Sequence, residues 1–463
     1  MSSRPNIIYV MSDDHGYQAM SCYGSRINQT PNLDRIAEGG MRHDNCFCTN
    51  SICAPSRAVI LSGKYSHMNG VKTLADHFDG RQVTFPKLLQ GAGYQTAMIG
   101  KWHLGHGGDS DPTGFDYWSV LPGQGKYHDP VFIEMGEKKT IPGYVTTITT
   151  DLSMEWLKNR DVDKPFLLMC HYKAPHGPWD PDKKHEHLYE DLEIPEPVTF
   201  YDDYSNRAEA AREAKMRIDR DLPKRIAKYV APEGLSPLEG KKWQYQQFIK
   251  DYLRCVASID ENVGRLLDYL DEEGLAENTI VVYTSDQGFY LGDHGWYDKR
   301  FMYEESLRMP MLIRYPKEIA PSSVSEAFAL NVDFAPTFLD YAGVEIPEEM
   351  QGSSLRPILK GELPEGWQTS VYYRYWMHLD EIHGVYSHYG VRTEKYKLIY
   401  YYGEALGASG TTDRSTPKEW ELFDLEKDPH ELNNVYNQPE YAGIVMELKT
   451  ELDRLKTKLK DEL

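Results

Sequence analysis

The chain contains no long uninterrupted apolar run. None of its hydrophobic segments approaches the ~20 residues that a membrane-spanning helix needs, so no membrane association is expected. The first residues, Met1 to Pro5, lead directly into a strand-like run without the apolar core of a signal peptide. We therefore expect a cytoplasmic protein, or a periplasmic or secreted one from which a leader has been removed.

Cysteine is scarce. Six cysteines in 463 residues are too few to indicate a disulfide framework, and none stands in the paired spacing of a zinc site. They occupy positions 22, 46, 48, 53, 170 and 255.

Positive charge is also in deficit. The 51 Lys and Arg residues face 71 Asp and Glu residues, which gives a formal net charge of −20. This balance argues against nucleic acid as a partner and against long polyanions held on a broad basic face. A small anionic substrate stays compatible, because exposed charges are screened beyond ~8 Å and a few cations in a pocket then dominate locally.

Four short apolar runs each end in a group of reactive polar residues. Nearly continuous hydrophobicity of this kind is typical of strands buried on both faces of a parallel sheet flanked by helices. Ligands bind beyond the carboxyl ends of such strands, so all four polar groups are expected at one edge. The runs are 6–11 before Ser12-Asp13-Asp14-His15, 94–99 before Lys101-Trp102-His103, 165–171 before Ala174-Pro175-His176, and 279–284 before Ser285-Asp286-Gln287-Gly288.

The pattern predicts two units. Residues 1–365 are predicted to form a large α/β unit, with helices at 31–39 and 243–270. Residues 366–463 are predicted to form a smaller α+β unit. Its strands are expected at 371–376, 391–393 and 396–401, and its amphipathic helix at 440–463.

The segment 178–240 is charged and punctuated by prolines, with helical periodicity only near 206–217. We interpret it as a solvated insertion, and a lid that shapes substrate access is the alternative.

The stretch Cys53-Ala54-Pro55-Ser56-Arg57, followed by Leu61-Ser62-Gly63, has the character of a helix start. Asn50 or Ser51 is predicted to cap this helix, and Pro55 suits its first turn. A helix N-terminus carries partial positive charge and unpaired N–H groups, so Cys53 is expected at a position that favours anion binding.

The polar groups after the strands combine two kinds of chemistry. Carboxylates crowded at one edge repel each other unless a cation neutralises them, and an all-oxygen ligand set suits Ca²⁺ or Mg²⁺. The oxygen donors are Asp13, Asp14, Asp286 and Gln287. Cationic and proton-transferring groups can bind a tetrahedral oxyanion and protonate a leaving alcohol. The candidates are Arg57, Lys101, His103, His176 and Lys299.

At these residues the chain resembles the type I, formylglycine-dependent sulfatases of the alkaline phosphatase superfamily, and bacterial carbohydrate sulfatases in particular. The resemblance runs over essentially the whole length. It implies an alkaline phosphatase-like fold, in which helices sandwich a large, mixed, mostly parallel sheet and a small C-terminal antiparallel sheet with a helix follows. The matching motifs, in order, are Asp13-Asp14, Cys53 to Arg57, Gly100 to Gly105, Ala174 to His176, Ser285 to Gly288 with Lys299, and Glu421 to Leu425 with Asp428-Pro429.

The resemblance also implies a mechanism. A formylglycine-generating maturation enzyme would oxidise Cys53, and the hydrated aldehyde would attack sulfur and later expel sulfate by C–O cleavage. Ca²⁺, with Mg²⁺ as the alternative, would polarise the sulfate. The implied ligands are Asp13, Asp14, residue 53, Asp286 and Gln287, where Gln287 stands at a position that is Asn in many relatives.

The same resemblance assigns the remaining roles. Arg57 and His103 would orient and deprotonate the diol, while Lys101 and Lys299 would neutralise sulfate oxygens. His176 would protonate the departing alcohol oxygen.

The predicted substrate is a small sulfated carbohydrate. The run Tyr372 to His378 offers aromatic faces for a sugar, and Arg374 and His378 are candidate hydroxyl-binding residues, although the same run also fits a packed strand. Three alternatives stay open: hydrolysis of simple aryl sulfates, a phosphodiester or phosphonate monoester hydrolase of the same superfamily, and a binding protein in which Cys53 is never converted.

Overall fold

The structure is a computed structural model that describes residues 4–461. Its strands, in chain order, are β1 (Asn6–Ser12), β2 (Met41–His43), β3 (Cys46–Phe47), β4 (Gln95–Lys101), β5 (Tyr117–Leu121), β6 (Val131–Glu134), β7 (Glu137–Thr140), β8 (Phe166–His171), β9 (Thr279–Ser285), β10 (Tyr290–Leu291), β11 (Tyr297–Asp298), β12 (Met311–Arg314), β13 (Ser323–Ser325), β14 (Ala329–Leu330), β15 (Ser370–Tyr375), β16 (His388–Thr393), β17 (Tyr396–Tyr401) and β18 (Glu419–Asp424).

The α-helices of the same residues are α1 (Pro31–Glu38), α2 (Cys53–Ser62), α3 (Ser66–Asn69), α4 (Phe85–Gly91), α5 (Val145–Lys158), α6 (Glu209–Glu213), α7 (Leu222–Arg225), α8 (Pro237–Glu272), α9 (Glu304–Leu307), α10 (Phe334–Ala342), α11 (Arg356–Leu359) and α12 (Ala442–Leu459). None of them is both long enough and apolar enough to cross a membrane.

Ten strands form one mixed sheet in the order β13-β2-β12-β9-β1-β8-β4-β5-β6-β7. The four predicted strands, β9, β1, β8 and β4, are neighbours at its centre and run parallel. Every residue of β1, β8 and β9 is buried, as their continuous hydrophobicity predicts. The predicted large, mostly parallel sheet is confirmed.

The register of the central strands brings their carboxyl ends together. Ser12 pairs with Ser285, Met11 with His171, and His171 with Gly100. The polar residues after each strand therefore emerge at the same edge of the sheet, as the sequence predicts.

The two faces of the sheet are covered by different layers. Ile7, Tyr9 and Met11 point into a core that also contains α2, α10 and the small C-terminal sheet. Ile8 and Val10, on the opposite face, join the core beneath α5 and the long helix α8. This alternation follows from the two-residue period of a strand.

The C-terminal part forms the predicted small antiparallel sheet, in the order β15-β16-β17-β18, with α12 packed on β15, β16 and β17. Strand β18 was not predicted as a strand, although its residues belong to the last sulfatase-like motif. The predicted division after residue 365 falls between α11 and β15.

Two local predictions are wrong. Ile52 is the N-cap of α2, while Ser51 instead donates to the carbonyl of Ser306 (2.9 Å). The segment 178–240 is not a simple solvated insertion, because Phe200, Ala210 and Tyr229 are fully buried in it. Helix α8 is also longer than the predicted range 243–270, because it starts at Pro237 behind a capping box formed by Ser236 and Glu239.

Candidate active site at the carboxyl edge of the sheet

Cys53 is the first residue of α2 and is almost completely buried. Its Sγ lies 3.2 Å from Asp13 Oδ1 and 3.5 Å from Lys299 Nζ. Burial raises the pKa of the Cys53 thiol to about 12. An unmodified Cys53 is therefore protonated at neutral pH and is a poor nucleophile here.

Three buried carboxylates converge beside Cys53. Asp13, Asp14 and Asp286 each place an oxygen within 4.8 Å of the other two. Asp14 has a left-handed backbone conformation (φ 69°), and its N–H donates to Asp286 Oδ1 at 3.2 Å. Burial, together with the charges of Asp286 and Asp298, raises the pKa of Asp14 to about 6, although the Lys299 ammonium opposes this shift.

Gln287 completes the oxygen-rich side of the cluster. Its Nε2 donates to Asp14 Oδ1 (2.5 Å), and its buried Oε1 has no hydrogen-bond partner among residues 4–461. A buried amide oxygen normally accepts a hydrogen bond, and coordination of a cation would explain why the Gln287 oxygen does not. The donor set of three carboxylates and one amide oxygen fits a hard divalent ion such as Ca²⁺.

Cationic side chains interleave with these carboxylates. Arg57 reaches Asp286 Oδ2 through Nε (3.1 Å) and Nη2 (3.0 Å), and its Nη1 donates to the carbonyl of Lys101 (2.7 Å). The Lys101 ammonium pairs with Asp13, and the Lys299 ammonium lies 2.5 Å from Asp14 Oδ1. The predicted residues Arg57, Lys101 and Lys299 thus lie in one cluster with the acids.

The two predicted histidines border the same cluster. His176 Nε2 lies 3.8 Å from Asp14 Oδ2, and its Nδ1 lies 2.9 Å from the Gly177 carbonyl. Burial and the charges of nearby lysines, Lys101 first among them, lower the pKa values of His103 and His176 well below their usual range.

Sequence reasoning missed one cation at this edge. Lys173 follows β8 by two residues and is 1% exposed. Its place in the sequence, between a buried strand and the His176 motif, is the feature from which Lys173 could have been predicted at this edge. Unlike Arg57, Lys101 and Lys299, Lys173 directs its ammonium to a backbone carbonyl, that of Gly177 (3.1 Å).

A second buried cluster adjoins Lys299 and was also missed. Asp298 and Arg300 flank this lysine with left-handed backbone angles (φ 80° and 93°), a costly conformation for non-glycine residues that is often associated with functional sites. Asp298 accepts from Arg300 Nε (3.0 Å) and lies 3.2 Å from His383 Nε2 and 3.6 Å from Arg225 Nη1. His383, Arg300 and Lys299 overcome the effect of burial and hold the pKa of Asp298 well below its usual range.

This second cluster draws on three distant parts of the chain. Arg225 comes from α7 in the segment 178–240, and His383 comes from the segment between β15 and β16. His383 Nδ1 in turn lies 2.8 Å from Asp380 Oδ1. Arg225 keeps about a third of its side chain exposed, so the cluster communicates with solvent on that side.

The structure does not bring Arg374 and His378 to either cluster. Arg374 pairs with Asp461 (2.5 Å) and stacks over the Trp376 ring, 3.2 Å from its centroid. His378 Nε2 lies 2.8 Å from the Arg414 carbonyl. Of the aromatic run around them, Tyr372, Tyr373 and Tyr375 lie in the fully buried strand β15 and Trp376 is buried just after it, which favours the packed-strand interpretation over a sugar-binding surface.

The comparisons with known proteins agree with this geometry. The sulfatase family profile matches residues 5–344, and the profile of the N-sulphoglucosamine sulphohydrolase C-terminal region matches residues 292–458. The chain is 46% identical to an N-acetylglucosamine-6-O-sulfatase of Bacteroides thetaiotaomicron, over 99% of this chain and 88% of that protein.

Solved structures give the same picture. A structure in complex with D-glucosamine-2-N,6-O-disulfate, described as its substrate, matches with a TM-score of 0.91 and 45% identity over 99% of both chains. The phosphonate monoester hydrolase of Agrobacterium radiobacter matches with a TM-score of 0.76 and 20% identity over 98% of this chain and 96% of that one, a likeness of fold alone. The chain belongs to the sulfatase family and is an enzyme that hydrolyses sulfuric esters.

Proposed function

We propose that this sulfatase removes the 6-O-sulfate from glucosamine units of a small sulfated carbohydrate. The observation that carries the proposal is the 46% identity, over 99% of the chain, to a protein named for that reaction. The structural match at 45% identity, to a protein bound to a 2-N,6-O-disulfated glucosamine, supports the same substrate class.

The proposed metal ion is Ca²⁺, with Mg²⁺ as the alternative. Asp13, Asp14, Asp286, Gln287 and residue 53 would hold it, because their donor atoms crowd one buried point and the Gln287 oxygen is unpaired. When bound, such an ion polarises the sulfate and offsets the repulsion among the three carboxylates.

The proposed nucleophile is residue 53 after a maturation enzyme has oxidised the cysteine to formylglycine. The position of residue 53 supports this proposal, because it begins α2 with its Sγ 3.2 Å from Asp13 Oδ1 and 3.5 Å from Lys299 Nζ, inside the cluster of carboxylates and cations. A hydrated aldehyde places two oxygens on one carbon, one to attack sulfur and one to expel sulfate.

The other side chains of the cluster then have distinct tasks. Lys101 and Lys299 bind the non-bridging oxygens of the sulfate with charge-assisted hydrogen bonds. Arg57 fixes Asp286 through two contacts and helps to orient residue 53, and His103 accepts the proton that residue 53 loses. His176 presents Nε2 towards the cluster and protonates the departing alcohol oxygen.

We assign the sugar side of the pocket to Asp298, Arg300 and His383. They are buried, they adjoin Lys299, and they offer both donors and acceptors to ring hydroxyls. Directional hydrogen bonds from such groups to ring hydroxyls would discriminate between sugars better than an apolar wall does.

The test is a substrate panel on enzyme purified from a host that carries the maturation enzyme. We expect sulfate release from N-acetylglucosamine 6-sulfate to exceed that from the 3-sulfate, from galactose 6-sulfate and from an aryl sulfate. A preference for the matched 6-phosphate would point instead to the phosphate and phosphonate chemistry of the wider superfamily, and turnover confined to the aryl ester would refute the carbohydrate assignment.

Cys53→Ala tests the nucleophile. We expect turnover to fall by at least about 10³-fold, as on removal of other nucleophiles, with the melting temperature nearly unchanged. Cys170→Ala, which removes a buried thiol on β8 outside the cluster, is the matched control and should keep its activity. Intact mass of the wild type should show the thiol exchanged for an aldehyde; full activity with an unmodified thiol would contradict the proposal.

A further inference from the structure

Lys173 is a buried cation without a carboxylate partner. It is 1% exposed, and its ammonium forms no ion pair within 4 Å among residues 4–461. Instead its Nζ donates to the Gly177 carbonyl (3.1 Å) and lies 4.6 Å from the centroid of the Tyr127 ring. Burying an unpaired ammonium is costly, so the position of this side chain calls for a reason beyond packing.

The carbonyl that Lys173 binds also contacts His176. The Gly177 oxygen lies 2.9 Å from His176 Nδ1, so one acceptor serves both side chains. A carbonyl oxygen can only accept, and therefore Nδ1 of the imidazole carries the proton in this contact. The other nitrogen, Nε2, is then left facing Asp14 Oδ2 at 3.8 Å.

The backbone of His176 is held by the same pair of residues. The Tyr127 hydroxyl donates to the His176 carbonyl at 2.6 Å, and the His176 N–H donates to the Lys173 carbonyl at 3.1 Å. Tyr127 itself stacks on Tyr144, with ring centroids 5.8 Å apart. Lys173 and Tyr127 thus restrain both the backbone and the ring of His176.

We propose that Lys173 is a positioning residue for the reaction, which acts by fixing the Gly177 carbonyl and, through it, the tautomer and direction of the His176 ring. This inference rests on the proposed function, in which His176 delivers a proton from Nε2 to the leaving oxygen. With Nδ1 held on the carbonyl, Nε2 is the nitrogen that gains and gives the transferred proton. Without the Lys173 side chain, the Gly177 carbonyl and the His176 ring can rotate, and Nε2 is no longer held towards the leaving oxygen.

The test uses two esters that differ in their need for a proton. A sugar alkoxide leaves only when protonated, whereas 4-nitrophenolate leaves without help. We expect Lys173→Met to lower kcat on N-acetylglucosamine 6-sulfate by about 10²-fold with KM nearly unchanged, and to change 4-nitrophenyl sulfate turnover by less than about threefold. Lys173→Arg should recover part of the loss, because a guanidinium also donates to a carbonyl.

A mutant cycle with His176→Ala decides the question even if aryl ester turnover is too slow to measure. If Lys173 acts through His176, Lys173→Met causes no further loss in the His176→Ala background. A multiplicative loss in that background, equal losses on both esters, or a rise in KM in place of the fall in kcat would each overturn the inference.

The same experiment separates this inference from the proposed function. If His176→Ala itself slows both esters equally, the role of His176 as proton donor fails, and the inference fails with it. If His176→Ala is selective for the sugar ester and Lys173→Met is not, only the inference about Lys173 is overturned. Lys164→Met, at an exposed lysine just before β8, is the control for loss of a lysine.

Discussion

Removal of the proposed divalent ion should destabilise the protein, and the loss of stability should depend on pH in a direction that the site geometry fixes. In the ion-free cluster, burial and the charge of Asp286 raise the pKa of Asp14 from 3.8 to about 6. Below pH 3.8 the carboxyl is protonated in both the folded and the unfolded chain, so it contributes nothing. As pH rises from 3.8 to 6 the unfolded state loses its proton first, and stability falls.

The magnitude follows from the size of the shift. The rise in the pKa of Asp14 from 3.8 to about 6 corresponds to about 3 kcal/mol of stability lost above pH 6. For a chain of 463 residues, an unfolding entropy of roughly 2.1 cal/mol/K per residue gives about 1 kcal/mol per degree. The burial of an ionised Asp14 beside Asp286 should therefore make the melting temperature of the chelated protein at pH 7.5 about 3 °C lower than it would be with Asp14 neutral.

The assay is thermal unfolding with a chelator and with Ca²⁺, at pH 5 and pH 7.5. Asp14→Asn should raise the melting temperature of the chelated protein at pH 7.5 by about 3 °C, and by about half as much at pH 5. The same variant should gain less than the wild type from added Ca²⁺, because it has lost an anionic ligand. Asp163→Asn, at an exposed carboxylate, should change neither quantity.

Two results would refute this reasoning. Equal melting temperatures of the wild type with and without the chelator would contradict the metal assignment. A chelated Asp14→Asn protein less stable than the chelated wild type at pH 7.5 would show that the Lys299 pair outweighs the repulsion among the carboxylates.

Two further predictions concern stability away from the sulfate side of the site. Ser236→Ala removes the capping box of α8 and should lower the melting temperature by about 1 °C, since such a cap contributes about 1 kcal/mol; kcat should not change. Arg374→Met leaves the buried Asp461 carboxylate without its cation, although the Tyr372 hydroxyl still donates to it, and should cost about 3–5 kcal/mol, visible as a lower melting temperature with KM unchanged. A rise in KM with stability intact would instead support Arg374 as a substrate-binding residue.

The residues that follow the central strands could be predicted from the sequence. Asp13 and Asp286 come directly after β1 and β9, and continuous hydrophobicity identifies such strands without any knowledge of their neighbours. Once the strands are parallel, the edge at which these side chains meet is determined. The Cys53 thiol joins these side chains because α2 begins at Cys53, at the same edge of the sheet.

Contacts between distant loops could not be predicted in this way. The contacts of Asp298 with Arg225 and His383 form because α7 and the segment after β15 fold towards Lys299. Neither segment has a periodic sequence pattern from which this contact could be predicted. Arg374 illustrates the opposite case. Its aromatic neighbours resemble a sugar-binding surface in sequence, but tertiary packing buries them in β15 against α12.

The chemical division of the site does not follow the predicted boundary between residues 365 and 366. Asp380 and His383 lie beyond that boundary, yet they contact Arg300 and Asp298 on either side of Lys299. Tyr373 on β15 also donates to the Arg300 carbonyl (2.5 Å), and one hydrophobic core joins the small sheet to the α2 face of the large sheet. The proposed sulfate site therefore combines residues that follow the central strands with residues of α2, and the C-terminal part contacts the left-handed residues Asp298 and Arg300 on either side of Lys299.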